Sequence, residues 1–237
     1  MPSFYGRSIN TIVVLTGAGI SAESGLQTFR DADGLWEGYD PMAIATPEAF
    51  AANPELVYRF YNARRRQLSD VHPNSAHRAL ARLQHEFSGT VFLVTQNVDD
   101  LHERGGSDQV CHMHGQLNFM SCQHCLAQMP VLADYDAQTA CPDCGTVGKL
   151  RPDVVWFGEM PYHMSRISAQ LASCDLFVAI GTSGAVYPAA GFVQEARLAG
   201  AITVEINKAI SDVSGHFHQQ RQGLASHEVA ALVEELL

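Results

Sequence analysis

Four short apolar runs punctuate the chain, the first an unbroken succession at 11–16 (TIVVLT), with similar runs at 91–95 (VFLVT), 175–180 (DLFVAI) and 202–206 (ITVEI). Runs of this kind, rich in β-branched residues, are strands buried on both faces of a parallel sheet. The chain between them is long enough for crossover connections. Its polarity pattern predicts helices from Pro54 to about Asp70, over 74–87 with Asn74 as N-cap, over 160–173 and over 188–198. A last helix begins at Ser226 and presents Val229, Leu232, Val233, Leu236 and Leu237 as one stripe for the sheet. The fold class is therefore α/β, with a doubly wound parallel sheet. One stretch, from about Ser121 to Arg151, breaks the rhythm and predicts a small insertion.

Composition changes this picture little. With 237 residues, 46% of them hydrophobic and 17% charged, the chain is an ordinary globular protein able to fold alone as one large domain plus the insertion. A formal charge of −10 argues against direct nucleic-acid binding, which rests on clustered Lys and Arg. No stretch approaches the roughly 20 apolar residues that span a bilayer, so no membrane partner is expected. The start, MPSFYGRSIN, has no apolar signal core, which reads as a cytoplasmic protein.

The insertion holds the strongest chemical signal. Cys122-x-x-Cys125 and Cys141-x-x-Cys144 stand 15 residues apart, the spacing of a zinc ribbon. Two such knuckles supply four thiolates and close a tetrahedral shell, so one Zn²⁺ would be structural. His124 lies inside the first knuckle and is left out of the ligand set. Cys111 and Cys174 remain as buried reduced thiols.

Three further motifs sit at predicted strand ends. Gly17-Ala18-Gly19-Ile20-Ser21-Ala22 follows the first strand and fits G-x-G-x-x-[GA], where glycines let the backbone approach a pyrophosphate. A ligand-free strand-to-helix turn would read the same way. The acidic residue expected about 20 positions on, at the end of a second strand, is not obvious, so a hydride-transfer dinucleotide site fits poorly. Gln96, Asn97 and Asp99 emerge where open α/β sheets place their ligand crevice, although Asp99 or Asp100 would equally cap a following helix. His114-Gly115 ends another apolar stretch, and a histidine there can serve as general base. With eleven histidines in the chain, its position counts only in combination.

Taken together, GAGISAESGLQTFR (17–30), TQNVDDLH (95–102), HG (114–115), the two C-x-x-C pairs, VVWFGE (154–159), GTS (181–183) and EIN (205–207) resemble the sirtuin family, from about Thr11 to Ala225. The resemblance implies a Rossmann-like large domain over 1–35, 88–118 and 152–237. It implies a small domain over 36–87 and 119–151, with a helical and a zinc-ribbon part. NAD would be consumed as co-substrate in the cleft between them, and the partners would be acyl-lysine proteins or peptides met by a monomer. The acyl-lysine oxygen would displace nicotinamide from the ribose, His114 would take a ribose hydroxyl proton, and acyl-ADP-ribose and free lysine would leave. Asn97 would orient ribose and water, and Asp99 the nicotinamide amide.

By the same resemblance Gly17, Ala18, Gly19, Ser21, Ala22, Phe29, Arg30, Gln96, Gly181, Thr182, Ser183, Asn207 and Ala225 line the dinucleotide site, with Trp36 on a loop that closes over it. Val155, Phe157, Gly158, Glu159 and Val186 belong to two segments that sandwich an extended peptide by β-augmentation. Core packing is the other reading of the apolar ones. Tyr61 and Arg64 share a helix face at i,i+3, where a phenol and a guanidinium can converge on a carboxylate. This Y-x-x-R pair resembles that of sirtuins removing succinyl and malonyl as well as acetyl groups, with Ala45 leaving room for the acyl chain. Otherwise Arg64 belongs to a solvated Arg64-Arg65-Arg66 run. Protein mono-ADP-ribosyl transfer and noncatalytic NAD sensing are the competing functions.

Overall fold

A computed structural model of the chain describes residues 3–27 and 38–237. Phe29, Arg30 and Trp36 lie outside the described residues. A short hairpin, β1 (Ser3–Phe4) and β2 (Arg7–Ser8), leads into β3 (Thr11–Thr16), the first strand of a six-stranded sheet. Its partners are β4 (Thr90–Thr95), β5 (Val110–His112), β9 (Leu176–Ile180), β10 (Ile202–Asn207) and β11 (Gln219–Gln222), in the order β11-β10-β9-β3-β4-β5. Every pairing is parallel. The chain runs outward from β3 to β5, then returns to the other side of β3 at β9. That reversal opens a crevice beyond the carboxyl ends of β3 and β9.

The strands alternate between two apolar layers, which is why their sequences read as continuous runs. Ile12, Val14, Leu93, Val178, Ile180 and Val204 face α5 (Ser75–Glu86) and α9 (Ala225–Leu236). Val13, Leu15, Val94, Phe177 and Ala179 face α7 (Met164–Leu171) and α8 (Phe192–Leu198). Cys111 and Cys174 are both buried in this second layer. Asn74 caps α5 as expected, its side chain accepting the Ala76 N–H at 2.9 Å.

Two expected helices start later than their sequences indicated. Residues 160–163 are held instead by the Tyr162 N–H on the Met113 carbonyl (2.8 Å) and the Tyr162 hydroxyl on Asp153 (3.0 Å). Ahead of α8, Ala189–Gly191 form a 3₁₀ turn. Leu237, expected on the buried stripe of α9, is exposed because the helix ends at Leu236.

Further elements surround the large sheet. A short α1 (Ala18–Ala22) follows β3, and α2 (Pro41–Ile44), α3 (Pro47–Ala52) and α4 (Pro54–Leu68) build a helical part. After α6 (Leu101–Arg104) and β5, an antiparallel sheet of β6 (Gly115–Cys122), β7 (Gln128–Pro130) and β8 (Leu150–Val154) frames the cysteines, in the order β7-β6-β8. Among the described residues no helix is long and apolar enough to cross a membrane.

Candidate functional site

The crevice is built by backbone contact. Gly17 and Gly19 abut the strand-end residue Gly181: a Cβ on Gly19 would lie 2.6 Å from the Gly181 Cα, and one on Gly17 2.8 Å from its carbonyl oxygen. Their N–H groups are spent on the Ile180 and Gly181 carbonyls (3.0 and 2.9 Å), so these glycines serve close approach and not anion donation. Thr182 is buried, and its carbonyl accepts from the Asn207 amide at 2.7 Å. Ala225 is buried at the start of α9, while Ala18 and Ala22 are half-buried. The Ser183 hydroxyl accepts the Ala185 N–H at 3.2 Å.

A polar cluster lies beside this turn. Asn97 donates to the Gly17 carbonyl and to the Ser21 hydroxyl, each at 3.1 Å, and Ser21 donates onward to Asp99 at 3.0 Å. Asp99 also accepts the Leu101 N–H at 3.1 Å, so it ties the cluster to the start of α6, whose N-cap position is Asp100. Burial raises its carboxyl above the ordinary value, and the two hydrogen bonds only partly oppose this. Gln96 is half-buried and lines one cavity with Thr182, Gly184 and Val186.

His114 lies at the same edge. Its Nδ1 is 3.1 Å from the Gln96 carbonyl, which can only accept, so Nδ1 carries the proton and Nε2 is left with the lone pair of a base. Burial holds its pKa below the ordinary histidine value, although that bond favours the charged form. The ring is therefore neutral at physiological pH.

Sequence reasoning missed the histidines behind this cluster. His102 meets Thr16 at 2.9 Å, His77 approaches Ser21 at 3.5 Å, and the two rings pack edge to face. His112 pairs with Glu103 at 2.7 Å. Burial pushes His77 down to about 4 and His102 well below its ordinary value. The sequence signal for His112 and His102 was the HMH and LHER clusters, which carry no periodicity, and His77 stands alone in SAHRAL. Both rings fold neutral, so the unfolded chain binds protons first as pH falls. Stability should be complete above about pH 6.5 and fall as pH drops from 6.5 toward 4. A urea midpoint that is flat between pH 7.5 and 5 would contradict this.

The peptide-facing and acyl-facing residues come from two further segments. Val155 donates its N–H to the His114 carbonyl (2.9 Å) and Phe157 to the Ala45 carbonyl (2.9 Å). Phe157 and Val186 are exposed, and Gly158 turns with φ +88°. Glu159 spends its carboxylate on Arg151 and on the Trp156 N–H. On α4, Tyr61 and Arg64 are both buried, with Ala45 in the same apolar cluster as Tyr61. The burial of Arg64 sets it apart from a solvated run. Arg64 donates to Gln67, while Arg65 donates to Asn62 and Arg66 to Asp134.

The four cysteine Sγ atoms gather within 4.8 Å of one another, with Cys122–Cys144 and Cys125–Cys141 each at 3.8 Å. Thiolates about 2.3 Å from a tetrahedral zinc are about 3.8 Å apart, so the donor set fits Zn²⁺ with no position left open. The two knuckles repeat one geometry: Leu126 and Gly145, each four residues after a first cysteine, have φ near +64° and +73°. His124 is exposed and outside this group.

The Sir2 family model matches residues 17–188. An NAD-dependent protein deacylase of Vibrio vulnificus (strain YJ016) is 53% identical over 95% of this chain and 93% of that protein. One of Bdellovibrio bacteriovorus is 52% identical over 98% of both. Among solved structures, a Sir2 homolog–NAD complex superposes with a TM-score of 0.86 at 38% identity, over 95% of this chain and 89% of that one. A Sir2 bound to acetylated peptide gives a TM-score of 0.79 at 26% identity, over 95% and 92%.

Proposed function

The chain belongs to the Sir2 family, and on that premise we propose that it is an NAD-dependent protein-lysine deacylase acting on acetyl-, malonyl- and succinyl-lysine. The observation that carries the reading is His114, a neutral imidazole with Nδ1 committed to Gln96 and Nε2 left as the base, beside Asn97 and the Gly17–Gly19 turn. The relatives' names and the NAD-bound neighbour support the same chemistry.

NAD supplies a nicotinamide–ribose bond whose cleavage exposes an electrophilic carbon, and ribose hydroxyls that take the acyl group. The glycine turn, Thr182, Ser183, Asn207 and Ala225 would hold the dinucleotide, with Phe29, Arg30 and Trp36 completing the site. Asn97 and Asp99, fixed through Ser21, would present their polar groups to the nicotinamide ribose and amide. His114 would accept at Nε2 the hydroxyl proton that the acyl transfer releases. Val155, Phe157, Gly158, Glu159 and Val186 would flank the peptide.

Domain division follows the same reading, with the large domain at 1–35, 88–118 and 152–237 and the small one at 36–87 and 119–151. The reading also takes the protein to be a monomer in the cytoplasm that does not bind nucleic acid, supported by its six unpaired cysteines and charge of −10.

The acidic-acyl preference rests on the buried Tyr61 and Arg64. Nicotinamide release should occur with acetyl-, malonyl- and succinyl-lysine peptides. Arg64→Met should lower kcat/KM for the succinyl peptide roughly 100-fold, because a carboxylate would be left buried without its charge partner. Deacetylation should fall far less. Equal losses on both peptides would refute the assignment.

A further inference from the structure

Two consecutive residues after β8 connect the base to the acyl-recognition helix. The Val155 N–H holds the His114 carbonyl, and the Trp156 indole N–H donates to the Tyr61 phenol oxygen at 2.9 Å. Trp156 and Tyr61 are 2% and 1% exposed, so this bond is sheltered from water. An indole nitrogen is a donor only. The phenol oxygen must therefore accept there, and its own hydrogen is directed away from the indole. Burial pushes the Tyr61 phenol far above its ordinary pKa, so it remains a neutral donor.

The indole is itself clamped. The Arg151 guanidinium lies 3.7 Å from the centre of the Trp156 ring, a cation–π contact. The same guanidinium engages both Glu159 carboxylate oxygens, at 2.6 and 2.9 Å, and donates to the Val154 carbonyl at 3.0 Å. Glu159 closes the ring by accepting the Trp156 backbone N–H at 2.8 Å. Ring plane and backbone are thus fixed by separate contacts. The Trp156 ring also packs against Phe50 and Tyr61.

We propose that Trp156 is a positioning residue for acyl selectivity: its indole N–H orients the Tyr61 hydroxyl to donate to an acidic acyl group, with Arg151 and Glu159 holding the indole in place. This rests on the reading that Tyr61 and Arg64 receive the acyl carboxylate. An acetyl group offers no such acceptor and gains nothing from the orientation. Without the indole donor, Trp156 no longer biases the phenol to present its proton rather than its lone pairs to the carboxylate.

The test is a double-mutant cycle on the succinyl-to-acetyl ratio of kcat/KM. Trp156→Phe keeps an aromatic ring for Arg151 but removes the N–H, and should lower the ratio about tenfold, mainly through KM for the succinyl peptide. In a Tyr61→Phe background the same substitution should change the ratio less than about twofold, because the group it acts through is gone. A ratio unmoved by Trp156→Phe, or an equal effect in both backgrounds, would overturn the proposal. Arg64→Met, run alongside, separates the two claims: if it leaves the ratio unchanged, the acidic-acyl reading falls and takes this inference with it.

A measurement on folded protein guards against a misfolded Trp156→Phe variant. The chain has two tryptophans, Trp36 and Trp156, and a Trp36→Phe control assigns their indole N–H resonances. Tyr61→Phe should shift the Trp156 resonance upfield and leave the other in place. An unmoved Trp156 resonance would overturn the proposed contact.

Discussion

Replacing His114 by asparagine is expected to lower kcat by about 10²- to 10⁴-fold, the usual contribution of a positioned general base. Asparagine can still donate to the Gln96 carbonyl, so the edge of the crevice should keep its shape and NAD affinity should change little. What it lacks is the basic Nε2 lone pair that the Nδ1–Gln96 bond leaves available. Because burial holds the His114 pKa below the ordinary value, wild-type kcat should also persist at pH values somewhat below 6.5 before the ring protonates. Single-turnover kinetics with an acylated peptide checks both points. A variant that retains more than about a tenth of wild-type turnover would remove His114 from the base role.

Loss of zinc is expected to have the other large effect. Structural Zn²⁺ sites of this kind contribute of order 10–16 kcal/mol to folding at neutral pH, and few apolar residues are available to hold the module without it. Its small core is Met120, Tyr135 and Leu150 packed on Tyr58 of α4, together with Cys122 and Cys141 themselves. Cys141→Ser should abolish stoichiometric zinc, measured by elemental analysis, and unfold β6, β7 and the two knuckles. The damage should spread to α4. The Tyr58 hydroxyl donates to the Leu150 carbonyl, Asn62 to the Tyr135 carbonyl at 2.9 Å, and Arg66 pairs with Asp134. Acyl-peptide turnover should therefore fall below detection, with no zinc-bound water involved in the chemistry. A Cys141→Ser protein that keeps one zinc per chain and wild-type activity would contradict the closed four-thiolate site.

The sheet was legible because β3, β4, β9 and β10 are buried on both faces and read as short runs rich in apolar residues, although β10 also buries the polar Thr203 and Glu205. β11, Gln-Gln-Arg-Gln, was not legible: it is an edge strand whose pairing to β10 is backbone hydrogen bonding, with no apolar signature. The helix expected from Met160 starts only at Met164 for a tertiary reason, since Tyr162 reaches Met113 and Asp153 across the chain. Local pattern could not register that competition. The cysteine spacing carried its geometry directly, because ligand separation along the chain dictates the knuckles. The glycine turn was found, but its role changed: the close approach of Gly17 and Gly19 to Gly181 is a contact between residues far apart in sequence.

The site divides in the same way. His114, Asn97 and Asp99 were visible as polar residues at strand ends, whereas their supports His77, His102, His112 and Glu103 converge only once the strands are side by side. Core packing was the second reading of the apolar residues of VVWFGE, after peptide contact, and Trp156 is a core residue. Its donor role emerges from the approach of α4, which places Tyr61 beneath it. Neither partner carries a local signal of the other, since they lie on separate segments of the chain.

Mass spectrometry of a complete reaction with NAD and a succinyl-lysine peptide tests the central claim most directly. Acyl transfer to the ribose predicts free lysine in the peptide, nicotinamide, and a soluble product with the mass of succinyl-ADP-ribose, in equal amounts. Retention of the succinyl group with ADP-ribose added to peptide or enzyme, or binding of NAD with no nicotinamide released, would contradict it.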